Sequence, residues 1–157
     1  MAEAQAGQGD MILEGFDYTH WQENKSEAKK DYTITADALG FESTDWGMLS
    51  FNWLKNMAVY HPTIQFFKND LEYARLIAGK AYISIPGHDY QNALSNGVFI
   101  FEDNPQLVSS NGKILSCTRL NWQRDNTIRG SEGCQLRSNN QVLQMDEMVV
   151  NLNLDVL

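Results

Sequence analysis

Cys117-Thr-Arg-Leu-Asn-Trp-Gln-Arg-Asp-Asn-Thr-Ile-Arg-Gly-Ser-Glu-Gly-Cys134 is the stretch on which the fold turns. Its cysteines, the only two in the chain, stand at equal distances from the dipeptide Asp125-Asn126. With that dipeptide as a two-residue loop, Arg124 faces Thr127, and counting outward brings Cys117 opposite Cys134. The same register sets Arg119 against Glu132, Leu115 against Leu136 and Trp122 against Arg129. Hydrogen-bonded and non-hydrogen-bonded pairs alternate away from such a loop, so 117/134 is a non-hydrogen-bonded pair. Its Cα atoms then lie about 4.5 Å apart, within the reach of a disulfide. The spacing predicts a disulfide-stapled hairpin and, with it, an extracytoplasmic or secreted setting. Gly130-Ser-Glu-Gly133 in the second arm is weak strand material and marks a candidate bulge or loop.

Turn signals on both sides extend the pattern. Asn96-Gly97 and Asn111-Gly112 are strong hairpin dipeptides because both residue types tolerate positive φ, and Asn139-Asn140 is a weaker version. Centring on 111/112 places Val108 opposite Leu115, and centring on 139/140 places Leu136 opposite Leu143. The result is an apolar row, Val108–Leu115–Leu136–Leu143, such as the core face of an antiparallel meander requires. Ala81–Ile85, Gly97–Phe101 and Met148–Leu157 supply further strands. Six or seven strands are expected from residue 80 onward, either left open or curled into a barrel.

The first half reads differently. Ser43-Thr44-Asp45 can cap a helix running to about Tyr60, with Trp46, Leu49, Trp53, Leu54, Met57 and Ala58 as its apolar stripe and Pro62 as its stop. Asn69 can cap a second helix, with Glu72 at the capping-box position, Leu71, Ala74 and Ala78 on one face and Gly79 as terminator. Residues 11–35 are ambiguous: Met11-Ile-Leu-Glu-Gly-Phe16 can form one strand and Asp31-Tyr-Thr-Ile-Thr35 another. Residues 1–10, small and polar, read as a flexible lead-in. The expected architecture is therefore a single α+β domain over 11–157, with N-terminal helices packed on a C-terminal antiparallel meander.

Composition bounds the partners. The formal net charge of −8 disfavours nucleic acid and anionic lipid surfaces. No apolar run approaches the roughly 18 residues of a membrane span, so a soluble chain is expected. The acid is concentrated in residues 1–62, which carry ten Asp/Glu against four Lys/Arg. Residues 113–137 reverse the balance, with five basic residues (Lys113, Arg119, Arg124, Arg129, Arg137) against Asp125 and Glu132. A basic hairpin on an acidic body can steer an acidic protein partner, although solvated charge on an exposed ribbon accounts for the same pattern.

Catalytic and metal chemistry find little footing. His20, His61 and His88 lie in separate segments without metal-ligand spacing, and no Gly-x-Ser-x-Gly elbow or Gly-rich phosphate loop occurs. Bridged cysteines are neither nucleophiles nor ligands. The carboxylate pairs Glu102-Asp103 and Asp146-Glu147 fall beside turns, where solvated acids are the ordinary expectation. No cofactor is expected. The aromatic residues carry more promise. Trp122 stands next to the expected loop with Arg129 across from it, and a Trp–Arg pair at a hairpin tip serves either as a local cation–π contact or as an anchor for a partner. Tyr90, in the polar corner Ile85-Pro-Gly-His-Asp-Tyr90, can rim a groove.

Leu71–Ile85 resembles the helix end and first strand of type II secretion pseudopilins, which place a helix before a β-meander. The apolar N-terminal helix that defines that family is not found in this sequence, and no family is assigned. The leading expectation is a non-enzymatic protein-binding or assembly module that presents Trp122, Arg124 and Arg129 on the stapled hairpin. The alternatives are a carrier of small apolar ligands, with Tyr82, Phe99, Phe101 and Trp53 around a barrel interior, and an enzyme of unknown class using dispersed Asp, His and Tyr residues.

Overall fold

The computed structural model describes residues 12–22, 28–46, 49–84, 97–123 and 126–157, without the side chains of 12–13, 41–46, 49–56 and 84. These residues form one antiparallel sheet of twelve strands, and no helix occurs among them. In chain order they are β1 (Ile12–Gln22), β2 (Lys29–Trp46), β3 (Leu49–Tyr60), β4 (Thr63–Lys68), β5 (Leu71–Ile77) and β6 (Lys80–Ser84). There follow β7 (Val98–Glu102), β8 (Gln106–Ser109), β9 (Ile114–Trp122), β10 (Thr127–Ser138), β11 (Gln141–Met145) and β12 (Met148–Asn151).

The expected α+β class is thus corrected to all-β, and both expected helices are strands. The segment from Ser43 to Tyr60 forms the end of β2 and the whole of β3, pairing Ala38 with Tyr60 and Leu39 with Val59. Its apolar residues fit a helical stripe, but Met57 and Val59 also alternate, and the neighbouring strand β6 (Met57↔Ile83, Val59↔Ala81) decides between the two periods. Asn69 is no helix cap. Asn69 and Asp70 both have positive φ (52° and 61°) between the paired residues Lys68 and Leu71. That is the geometry of a two-residue primed turn, which twists with its flanking strands. Ala74 and Leu76 of β5 then face the core, while Arg75 and Ile77 are exposed.

Several strands run end to end. β3 and β4 follow one edge of β2, because Ala38 pairs with Tyr60 and Thr35 with Thr63. β5 and β6 continue one another along them, β7 and β8 do so along β9, and β11 and β12 do so along β10. Counted as long strands (β1, β2, β3–β4, β5–β6, β7–β8, β9, β10, β11–β12), the sheet is an up-and-down meander. Its bends fall at His61-Pro62, Ala78-Gly79, Asp103 to Pro105, Glu132-Gly133 and Asp146-Glu147. His61, Asp103, Asn104, Glu132 and Gly133 take positive φ there. The ladder still crosses the bends, through His61 N–H to Gly79 O (2.9 Å), Gly79 N–H to Asp103 O (2.8 Å) and Gly133 N–H to Asp146 O (3.0 Å). Bends aligned in this way fold a sheet over on itself. Rings from the two halves meet inside: Trp122 lies edge-on to Tyr32 at 4.9 Å and to Phe66 at 5.0 Å. No pairing joins β1 to β11 or β12 among the described residues, so the ladder is open.

The central hairpin follows the expected register only as far as its bulge. Cys117 pairs with Cys134 and Leu115 with Leu136, but Arg119 pairs with Ser131, Trp122 with Ile128, and Arg129 with Asn121. The irregularity between Ser131 and Cys134 shifts the pairing by one residue and carries the side chains with it. In β9, Leu115 and Cys117 before the bulge and Leu120 and Trp122 after it are all buried. The Asn111-Gly112 hairpin shows a similar slip. Gly112, at φ 88°, closes a three-residue loop between Ser109 and Lys113, so Ile114 meets Val108 and Leu115 meets Leu107. The apolar row is therefore Leu107–Leu115–Leu136–Leu143. The Asn139-Asn140 hairpin keeps the expected pairing, with Ser138 against Gln141 and Asn139 at φ 52°. Asn96 lies outside the described residues.

Candidate functional site

Cys117 and Cys134 are disulfide-bonded, with Cα atoms 4.2 Å apart, and the bridge belongs to the buried core. A side chain at Gly130 would collide with both sulfur atoms, so the glycine that weakens this arm as a strand is what leaves room for the bridge.

Trp122 and Arg129, expected together at the hairpin tip, are not brought together. Trp122 is only 2% exposed and packs against Tyr32, Phe66 and Phe99, the last at 5.6 Å. Arg129 is exposed, between the buried Ile128 and Gly130. Arg124 and Tyr90 lie outside the described residues. Expecting Trp122 at the surface follows from running strict alternation through the bulge; the extra residue there turns the indole inward. Two of the basic residues meet carboxylates: Arg119 reaches Glu102 at 2.9 Å and Glu132 at 3.8 Å, and Lys113 reaches Asp155 at 3.0 Å. The rings expected around a ligand are placed as follows. Phe99 and Phe101 are fully buried and stacked at 5.6 Å, Tyr82 lies under the Lys80 ammonium at 4.7 Å, and the Trp53 side chain is outside the described set.

Titratable groups converge only loosely. A polar cleft of about 520 Å³ is lined by Lys29, Asp31, Lys68 and Tyr73 together with side-chain amides such as Gln22, Asn69 and Asn126. Burial, aided by the charge of Asp31, raises the pKa of Tyr73 and keeps its hydroxyl protonated. Beside that cleft, the Arg75 guanidinium holds the Glu72 carboxyl below its usual range through hydrogen bonds of 2.7 and 2.9 Å. No group of three or more His, Cys, Asp or Glu gathers to hold a metal ion among the described residues.

The most distinctive surface lies elsewhere, on β11. β11 hydrogen-bonds to β10 on one side, and no strand lies on its other side among the described residues. All five of its residues are exposed, including Val142 (52%), Leu143 (45%) and Met145 (47%). A groove of about 730 Å³ runs beside it, lined by Leu136, Val142, Leu143, Leu154 and Val156, with Lys113 and Asp155 among its polar residues. Hydrogen bonds from Lys113 and Asn151 hold the pKa of Asp155 below the ordinary carboxylate value, which keeps this corner ionised. Natural edge strands are usually blunted by charge, proline or a covering segment; Gln141-Val-Leu-Gln-Met145 carries neither charge nor proline, and no strand covers it among the described residues. The signal was present in the sequence. Two adjacent apolar residues, Val142 and Leu143, point to opposite faces of a strand that carries no charge.

No protein-family model matches the chain, and no curated protein matches it significantly.

Proposed function

We propose that this chain is a non-enzymatic protein-binding or assembly module that works outside the reducing cytosol, and that its working surface is the free edge of β11. The observation that carries the reading is the exposure of Val142, Leu143 and Met145 on a sheet edge flanked by an apolar groove. Such an edge offers main-chain hydrogen bonds for affinity and side-chain pockets for specificity, the elements of strand addition. The disulfide Cys117–Cys134 supports the oxidising setting. No helix of the described residues is long and apolar enough to cross a membrane.

Site-specific photo-crosslinking from position 142, in the cells that make the protein, tests this reading. Leu71, which is 73% exposed on a different strand, is the control position. A discrete adduct from 142 and none from 71 is the expected result. Equal labelling from both positions, or none from either, would remove the functional claim on this edge.

A further inference from the structure

We infer that the occupant of β11 is a second copy of this chain, paired antiparallel across a two-fold axis at Leu143; this rests on the reading of β11 as the working edge. The β10–β11 ladder fixes which backbone groups of β11 face outward. The two-residue Asn139-Asn140 loop makes Ser138/Gln141 the first hydrogen-bonded pair of the β10–β11 ladder. Pairs alternate from there, so Leu136/Leu143 and Cys134/Met145 are hydrogen-bonded and the two pairs between them are not. Gln141, Leu143 and Met145 therefore direct N–H and C=O toward β10. Val142 and Gln144 direct theirs outward.

Few self-pairings satisfy all four outward groups. A two-fold axis at Leu143 aligns Val142 of each copy with Gln144 of the other, giving two hydrogen-bonded pairs with four N–H···O=C bonds. A shift of one residue sets outward groups against groups already bonded to β10. In the axial register Leu143 meets Leu143 of the second copy at a non-hydrogen-bonded position, where Cα atoms approach to about 4.5 Å and side chains make their closest contact.

Charge favours the same arrangement. β11 itself is neutral, with Asp146 and Glu147 just beyond one end and the exposed Arg137 beside the other, opposite Val142. Antiparallel pairing lays the acidic end of each copy beside the basic end of the other, and it does so twice. In the axial register Arg137, Val142, Gln144 of the second copy and Asp146 of the second copy share one face. A net charge of −8 makes unguided contact between two copies unfavourable, whereas this strand brings opposite charges together. A self-complementary patch of this kind defines an isologous, closed dimer.

Analytical ultracentrifugation of the intact oxidised protein over a wide concentration range, combined with two kinds of variant, tests the pairing. Wild type should show a monomer–dimer equilibrium. Gln144→Pro removes an outward N–H in each copy and leaves every bond to β10 in place, so the dissociation constant should rise at least about tenfold while the melting temperature of the dilute monomer holds. Leu143→Cys places one thiol of each copy on the axis and should give a covalent dimer on mild oxidation, whereas Gln141→Cys, far from its symmetry mate, should not. A protein that is monomeric at every concentration overturns the inference. So does a dimer insensitive to Q144P, or one that cross-links equally through Q141C. The photo-crosslinking adduct from position 142 separates the two claims. An adduct of twice the chain mass supports self-pairing; one containing a different protein keeps the edge as a docking surface and rejects the second copy as its occupant.

Discussion

β11 and β12 are two halves of one bent strand, pair with the same edge of β10 and have similar apolar content, yet they end in opposite environments. In β12, Met148 and Val150 are buried. In β11 every residue is exposed. What separates them is the chain that follows. After β12 the Asn151 side chain accepts hydrogen bonds from the N–H groups of Asn153 and Asp155, at 3.0 and 2.9 Å, and turns the tail back. Val156 then bridges to Val150, and Leu157 N–H donates to Val149 O at 2.9 Å, so the outer edge of β12 is covered. Among the described residues no segment covers β11 in the same way. Whether an edge is covered thus depends less on its own residues than on which segment returns to it.

The paired methionines on either side of the Asp146-Glu147 bend break the comparison most directly. Met148→Ala, in the covered half, should lower the unfolding free energy by about 2–5 kcal/mol. Met145→Ala, three residues away and 47% exposed, should stay within about 0.5 kcal/mol of wild type. Urea denaturation of both variants measures the contrast, and similar losses would mean that β11 is packed after all.

The disulfide fixes the strand that both halves share. Replacing Cys117 and Cys134 together by Ala releases a closed loop of seventeen-residue separation and should cost about 3 kcal/mol, read from the same denaturation curves. Gly130→Ala should approach that loss with the cysteines present, because the new methyl group and the sulfurs compete for one space.

A smaller effect is expected at the hairpin that starts β11. Asn139 holds φ 52°, which costs a non-glycine, non-Asn residue about 1 kcal/mol. Asn139→Ala should lose about that much and Asn139→Gly should not, as thermal melts will show.

The least costly perturbation is acid. The pKa of Asp155 is lowered in the folded chain, chiefly by its hydrogen bond from Lys113 and then by that from Asn151. A carboxyl with a lowered folded pKa adds stability that is fully present above its unfolded value and fades as the pH falls through the folded one. The tail over β12 should therefore loosen on acidification before the sheet melts. A lower hydrogen-exchange protection factor at Leu157 N–H, each rate being compared with the intrinsic rate at that pH, without change at Leu120 N–H, is the expected signature.

Legibility of the fold from sequence varied along the chain for a physical reason. Asn139-Asn140 and Cys117/Cys134 were readable because turn chemistry and disulfide reach act over a few residues. The register beyond the bulge was not. Gly130 to Gly133 signalled irregularity, but a sequence does not state how many residues a bulge absorbs, and one residue decides whether Trp122 faces solvent or core. The apolar stripe from Trp46 to Ala58 satisfied two periodicities at once. The free edge of β11 was legible only in part: its lack of charge stands in the sequence, but its exposure depends on which segments pack against it in the fold.

By itself the sequence determined the antiparallel meander of the second half, the pairing of its two cysteines and the turn at Asn139, all set by local backbone preferences and short-range geometry. Only the tertiary structure decided that the first half is also sheet, that Trp122 belongs to the core, and that β11 is left open beside a covered β12. Each of those depends on which surface a segment meets across the fold, and burial against a distant strand outweighs the local propensities of the residues involved.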